Sequence, residues 1–167
     1  MFLDAYIEHT FYVARTPFFV KFFSVATELG GGFLVAALSI ALAVFWFRQN
    51  RLPYIVGLFV SVVGSGVVAQ IIKYLVERPR PLMPAIVETG YSFPSGHTTA
   101  AFATATAMTL SYKKWYVAVP SYLYAGFVGY SRMRLGVHYP SDVFGGMVIG
   151  IGAGFLTWKL DQIIFKK

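Results

Sequence analysis

Five stretches of the chain carry no charged residue: 31–47 (GGFLVAALSIALAVFWF), 52–72, 98–112, 115–131 and 143–158. Within them apolar residues follow one another without the strict alternation of a half-buried strand, and each is longer than the ten or so residues of a barrel segment. The pattern predicts helices. A hydrocarbon layer of ~30 Å needs about 20 helical residues, and 17 is near the lower limit. The shorter stretches must therefore borrow flanking residues or lie buried among other helices. The expected fold is an all-α integral membrane bundle of about five transmembrane helices over residues 31–167.

Residues 1–30 differ. They are apolar and aromatic but interrupted by Asp4, Glu8, His9, Arg15, Lys21 and Glu28. Inserting such a segment across a bilayer is costly, whereas one or two helices lying in the interface suit it, with Pro17 as the break. No positive n-region precedes the apolar stretch, so it is expected to stay attached rather than be cleaved as a signal peptide. Connections are short and nothing resembles a linker, which predicts a single domain over 1–167. Gly146, Gly150 and Gly154, spaced by four, predict a close helix-packing face.

Composition agrees with the pattern. Of 167 residues, 57% are hydrophobic and 13% charged, and the mean hydropathy is +0.63. A water-soluble globule would have too few polar residues to cover itself. Without cysteine, disulfides, thiolate catalysis and cysteine-ligated zinc are excluded, so any nucleophile is oxygen or nitrogen. The net charge of +7 falls at segment ends, where lipid headgroups and topology account for it, and nucleic acid is not an expected partner.

Three polar islands interrupt the oily background. In the first, Lys73 lies seven residues before Arg80, and Pro79 and Pro81 break the helix so that Arg80 can fold back. A guanidinium fork with an ammonium point charge can neutralise a phosphoryl dianion, although snorkelling to headgroups is the commoner fate of such residues. In the second, Pro94-Ser95-Gly96-His97, Ser95 is a candidate helix N-cap and Gly96 lets backbone amides approach an anion. His97, ionisable and at the bilayer edge, is a functional candidate that an ordinary helix start does not explain. In the third, Ser131-Arg132 precedes His138 and Asp142, and Pro140 is expected to open the last helix. Asp142 would then accept a proton from one nitrogen of His138 and leave the other free to attack, a triad with imidazole as nucleophile. A structural His–Asp pair capping the helix is the alternative.

Five antiparallel helices bring all three islands to one membrane face. Lys and Arg do not orient it, because each face carries seven: Arg48, Arg51, Lys113, Lys114, Lys159, Lys166 and Lys167 opposite the site, and Arg15, Lys21, Lys73, Arg78, Arg80, Arg132 and Arg134 beside it. Discounting the cations with a phosphate role puts the site on the extracytoplasmic face of the cell membrane. Trp46, Trp115 and Trp158 fall at the opposite helix ends, where an aromatic belt is expected.

Lys73-x6-Arg80-Pro81, Pro94-Ser95-Gly96-His97 and Ser131-Arg132-x5-His138-x3-Asp142, in this order, resemble the full signature of the type 2 phosphatidic acid phosphatase superfamily, which includes vanadium haloperoxidases and bacterial acid phosphatases. The resemblance implies His138 as a nucleophile forming a phosphohistidine, Asp142 as its orienting partner and His97 as acid for the leaving group. It also implies Lys73, Arg80, Ser95, Gly96 and Arg132 as phosphate ligands, with no metal and no cofactor. Many membrane members have six helices, and residues 1–29 are expected to stand in for the first. The expected activity is metal-independent hydrolysis of a lipid phosphomonoester or diphosphate, with undecaprenyl diphosphate, phosphatidylglycerophosphate and phosphatidic acid as candidate substrates. A vanadate-dependent haloperoxidase and a non-catalytic lipid-phosphate binder are the alternatives. The first is disfavoured because those relatives are soluble and larger, the second because binding alone gives no reason for two histidines and an aspartate.

Overall fold

A computed structural model describes residues 2–30, 32–50 and 52–164. Among them the only regular elements are seven helices: α1 (Phe2–Val13), α2 (Pro17–Gly30), α3 (Gly32–Arg48), α4 (Leu52–Val76), α5 (Gly96–Tyr112), α6 (Trp115–Arg134) and α7 (Pro140–Ile164). Each of the five uncharged stretches lies within one of the helices α3 to α7, apart from residue 31. Pro17 opens α2, where its missing amide costs nothing. Arg51, Lys166 and Lys167 from the charge count, with residue 31, lie outside the described residues.

Two of the helices, α4 and α7, are long and apolar enough to cross a membrane, with mean hydropathies of 2.3 and 1.5. Both turn apolar side chains outward, Phe59, Val63 and Val67 from α4 and Phe144, Val148 and Phe155 from α7. Helix α5, at 17 residues, sits in the middle, against α3, α4, α6 and α7. Its run from Ala101 to Ala107 is buried. Two buried threonines of this helix return their hydroxyls to their own backbone, Thr104 to the Ala100 carbonyl at 3.0 Å and Thr106 to that of Phe102 at 2.8 Å. Burying these two therefore leaves neither hydroxyl an orphan donor.

The glycine row on α7 is the seam against α5. A Cβ on Gly146 would stand 2.6 Å from the Ser95 carbonyl oxygen, on Gly150 2.4 Å from that of Thr99, and on Gly154 2.6 Å from the Thr106 Cβ. The two backbones approach as closely as only glycine permits, which fixes the start of α5 against the start of α7. A second cluster, Phe23, Leu135 and Val137 with Ala85 and Ile86, packs α2 and the α4–α5 loop around the turn after α6. Gly136 in that turn has φ +65°, and a Cβ there would also strike Arg15.

The aromatic belt needs correction. Trp46 is fully buried, donating its indole N–H to the Tyr112 hydroxyl at 3.0 Å and packing on Tyr54 and Tyr112. It is a core residue between α3, α4 and α5. Trp115 is exposed.

The seam gives a paired test. Gly150→Ala must push a backbone carbonyl away and should cost about 1–3 kcal/mol, read as a lower thermal midpoint in detergent. Gly152→Ala, whose Cβ would meet nothing within 4 Å, should leave the midpoint unchanged or slightly higher.

Candidate active site

All three polar islands meet at one end of the bundle, beneath the loop of residues 77–95 that joins α4 to α5. The loop is anchored by its own backbone. The Ala85 amide donates to the Leu135 carbonyl at 2.8 Å, the Ser92 amide to that of Arg78 at 2.9 Å, and the Ser92 hydroxyl to that of Pro79 at 3.0 Å. Its outer residues Leu82 and Val87 are more than nine-tenths exposed.

Carbonyl groups aim the cations. Lys73, in the last turn of α4, donates to the Tyr91 carbonyl at 2.6 Å. Arg80 spends its guanidinium on three carbonyls, Gly90, Val137 and Thr89, each at 2.9 Å. Its Nη1 also stands 3.5 Å from Nε2 of His138. Arg132, in the last turn of α6, is 1% exposed and is ion-paired to Glu88. Glu88 also lies 3.5 Å from Arg80, so one loop carboxylate sits between two arginines. Burial would raise the pKa of Glu88, but Arg132, Arg80 and His97 together hold it below the ordinary value. It is an anion among cations.

His138 is in the α6–α7 turn and Asp142 in the first turn of α7. Asp142 is wholly buried and His138 is 4% exposed. Nδ1 of His138 lies 3.4 Å from Oδ2 of Asp142, within ion-pair distance but with no hydrogen bond formed. The same Oδ2 accepts the Tyr139 amide at 2.9 Å, so Asp142 reaches back across the helix start as the acidic half of a capping box. Burial, with the charges of Arg80 and Arg132, holds the His138 pKa below its ordinary value against the opposing pull of Asp142. The ring is therefore neutral at neutral pH, the state a nucleophile needs.

The second island departs from expectation in one detail. Ser95 stands at the N-cap of α5 with extended backbone, yet its side chain caps nothing. Its hydroxyl instead accepts the Thr98 hydroxyl at 3.0 Å, while the Ser95 amide donates to the Asp142 carbonyl at 3.0 Å. The first amides of α5 are thereby left without a side-chain cap. Space beside Gly96 is open. His97, half-buried in the first turn of α5, feels the charges of Arg132, Glu88, His138 and Arg80. All eight residues singled out from the sequence thus converge.

Three residues of the cluster had not been singled out: Glu88, Arg78 and Asp4. Arg78 donates to Oδ1 of Asp142 at 2.6 Å and to Asp4 at 2.7 Å, with its guanidinium 4.1 Å over the Tyr139 ring. Asp4, from α1, also accepts the Ser141 amide and hydroxyl at 3.1 and 2.6 Å. Arg78 carried a sequence signal, the repeat Arg-Pro-Arg-Pro at 78–81. Asp4, some 70 residues away, carried none. Among the described residues no three His, Asp or Glu side chains group as a metal-ligand set.

The class defined by this fold and site is an all-helical protein with a cluster of cations at one end of its bundle, beside a buried His–Asp pair. Residues 54–165 match the PAP2 superfamily, and the chain belongs to that family. It is 30% identical over 142 residues to the undecaprenyl-diphosphatase BcrC of Bacillus subtilis, a match covering 79% of this chain and 72% of that protein. It is 42% identical over 97 residues to a lipid A 1-phosphatase of Porphyromonas gingivalis, covering 56% of this chain and 21% of that much longer protein. The crystal structure of a transmembrane PAP2-type phosphatidylglycerolphosphate phosphatase from Bacillus subtilis superposes with a TM-score of 0.84 at 26% identity, over 96% of this chain and 85% of that one. The chain is a phosphatase of this family.

A phosphate-like anion entering between Arg80 and Arg132 has to displace Glu88. Glu88→Gln removes the competing charge and should lower the inhibition constant for vanadate about five- to tenfold, equivalent to ~1–1.4 kcal/mol. An unchanged or higher constant would show that Glu88 does not compete for the arginines.

Proposed function

We propose that this phosphatase is a multi-pass membrane enzyme, with α3 to α7 as five spans and α1 and α2 at the interface, that removes phosphate from a lipid phosphomonoester or diphosphate. The observation that carries the reading is the juxtaposition of two arginines, held on one carboxylate, with the buried imidazole of His138. Phosphoryl transfer calls chiefly for positioning and for positive charge around the equatorial oxygens. Lys73, Arg80, Arg132, the Ser95 hydroxyl and the uncapped amide of Gly96 supply both without a metal. Nε2 of His138, the nitrogen turned away from Asp142, faces Arg80, so a phosphoryl group neutralised there lies next to the attacking lone pair.

Nε2 attacks phosphorus as the bond to the lipid oxygen breaks, and protonated His97 gives its proton to that oxygen. Asp142 stabilises the charge that develops on the His138 ring. His97, now neutral, takes a proton from water, whose oxygen attacks the phosphohistidine; phosphate leaves and His138 is regenerated. The outward apolar surfaces of α4 and α7 suit lateral approach of a lipid whose head reaches the cations. The names of the relatives widen the substrate candidates to undecaprenyl diphosphate, phosphatidylglycerophosphate, phosphatidic acid and lipid A.

Phosphate release from these four lipids by the purified protein, with and without chelator, tests the reading. One or more should be hydrolysed at a rate unaffected by chelator, and His138→Ala should reduce turnover by at least about 10³-fold without lowering the thermal midpoint. A protein that binds these lipids but releases no phosphate would be a lipid-phosphate binder instead.

Orientation has its own test. With the site cations discounted, the catalytic end faces outward, so a cysteine at the exposed Val87 should react with a membrane-impermeant thiol reagent in intact cells. One at Lys114, in the opposite loop, should be protected. The reverse pattern would turn the site toward the cytoplasm.

A further inference from the structure

We infer that Asp4 of α1 is a positioning residue for the reaction: through Arg78 it holds the Asp142 carboxylate, and with it the His138 ring, in the attacking geometry. The inference rests on the proposed role of His138 as nucleophile, but it concerns residues outside the signature motifs.

Four groups form one chain of contacts from α1 to the site. Asp4 is 7% exposed although it lies near the start of the first described helix. Its Oδ2 pairs with Nη2 of Arg78 at 2.7 Å, and Nη1 of Arg78 pairs with Oδ1 of Asp142 at 2.6 Å. Oδ2 of Asp142 then faces Nδ1 of His138 at 3.4 Å. Arg78 is thus held by a carboxylate at each end, and Tyr139 lies against its flat face. A guanidinium held in this way presents a fixed donor, so Asp142 has one oxygen committed to Arg78 and the other, held by the Tyr139 amide, 3.4 Å from the imidazole.

Asp4 has a second grip. It accepts the Ser141 amide and hydroxyl, which makes it an N-cap for α7 supplied by another helix, at the end where the helix dipole favours an anion. Burial disfavours the charged form of Asp4, but Ser141 and Arg78 outweigh it and hold its pKa below the ordinary value. Its negative charge has an electrostatic consequence. Arg78 divides its attraction between two carboxylates, leaving Asp142 more of its field for the imidazolium that develops during attack. With Asp4 neutral, Arg78 would act on Asp142 alone, and His138 would hold its proton less well. The charges facing His138 directly come from Asp142 on α7, Arg132 on α6, Arg80 in the loop and His97 on α5, and none is altered by changing Asp4.

The test compares the wild type with Asp4→Asn, Asp4→Glu and Glu8→Gln, the last one turn along the same helix. A cleft of about 650 Å³ bordered by Asp4, Glu8, Arg78 and Tyr139 leaves room for the added methylene of Asp4→Glu. Turnover of a hydrolysed lipid, vanadate inhibition, thermal midpoint and the NMR titration of the His138 ring are measured for each. Asp4→Asn should lower kcat about ten- to a hundredfold, leave KM and the vanadate constant within about threefold because the phosphate cations are untouched, and move the His138 midpoint to lower pH. Asp4→Glu should restore most of kcat and the midpoint, and Glu8→Gln should match the wild type.

An Asp4→Asn protein whose kcat and His138 titration both match the wild type would overturn the inference. So would one whose loss of kcat follows its thermal midpoint with no change in the titration, since that is the behaviour of a purely structural contact. If the wild type hydrolyses none of the lipids, the lipid-phosphatase reading fails while the titration still decides the relay: a shift in Asp4→Asn supports it, and none overturns it.

Discussion

Burying a carboxylate without exposure to water demands donors on every side, and that demand at Asp142 organises the catalytic end of this protein. An ion removed from water costs several kcal/mol unless paired and hydrogen-bonded. Asp142 meets the requirement with a guanidinium from the loop and an amide from the turn before α7, and an imidazole stands 3.4 Å from it. Each of these groups is itself held. Arg78 leans on Tyr139 and Asp4, the Tyr139 amide is fixed by the start of α7, and His138 follows a glycine turn packed under α2. The N-terminal helices therefore belong to the same construction as the motif-bearing ones.

The cations proposed to face phosphate follow a different rule. Arg80 donates to three backbone carbonyls and Lys73 to one, so the loop that carries the carbonyls sets where these charges point before any ligand arrives. Orientation settled in advance is what makes electrostatic stabilisation effective, because no rearrangement is left for the moment of reaction. Glu88 completes the arrangement by keeping two buried or half-buried arginines neutralised in the resting state.

The helices were legible in the sequence because uncharged apolar runs of this length have few other solutions, and the charges mark their ends. The eight candidate site residues, which the structure gathers at one end of the bundle, stood out for a related reason, since polar groups at such positions contrast with an oily background. Glu88 and Asp4 did not. Glu88 lies in a connecting segment with no periodicity, where its partners depend on how the loop folds. Asp4 sits in a stretch whose charges read equally well as an interfacial face, and its partners are some 70 and 140 residues distant. Ser95 shows the limit even inside a motif, for a hydroxyl at an N-cap had two possible acceptors or donors and Thr98 took it. Trp46 shows the same limit among the aromatics, since a tryptophan at a helix end looks alike whether it meets lipid or, as here, Tyr112.

Leu82 and Val87 crown the loop above the cations, almost fully exposed and apolar. On the proposed membrane reading, such a loop rests among headgroups rather than projecting into water. The site then meets its substrate by diffusion in two dimensions, and what governs its occupancy is the mole fraction of phosphorylated lipid in that leaflet, diluted by every neutral lipid around it. Two membranes holding the same amount of substrate in the same volume of suspension would saturate this protein to different degrees.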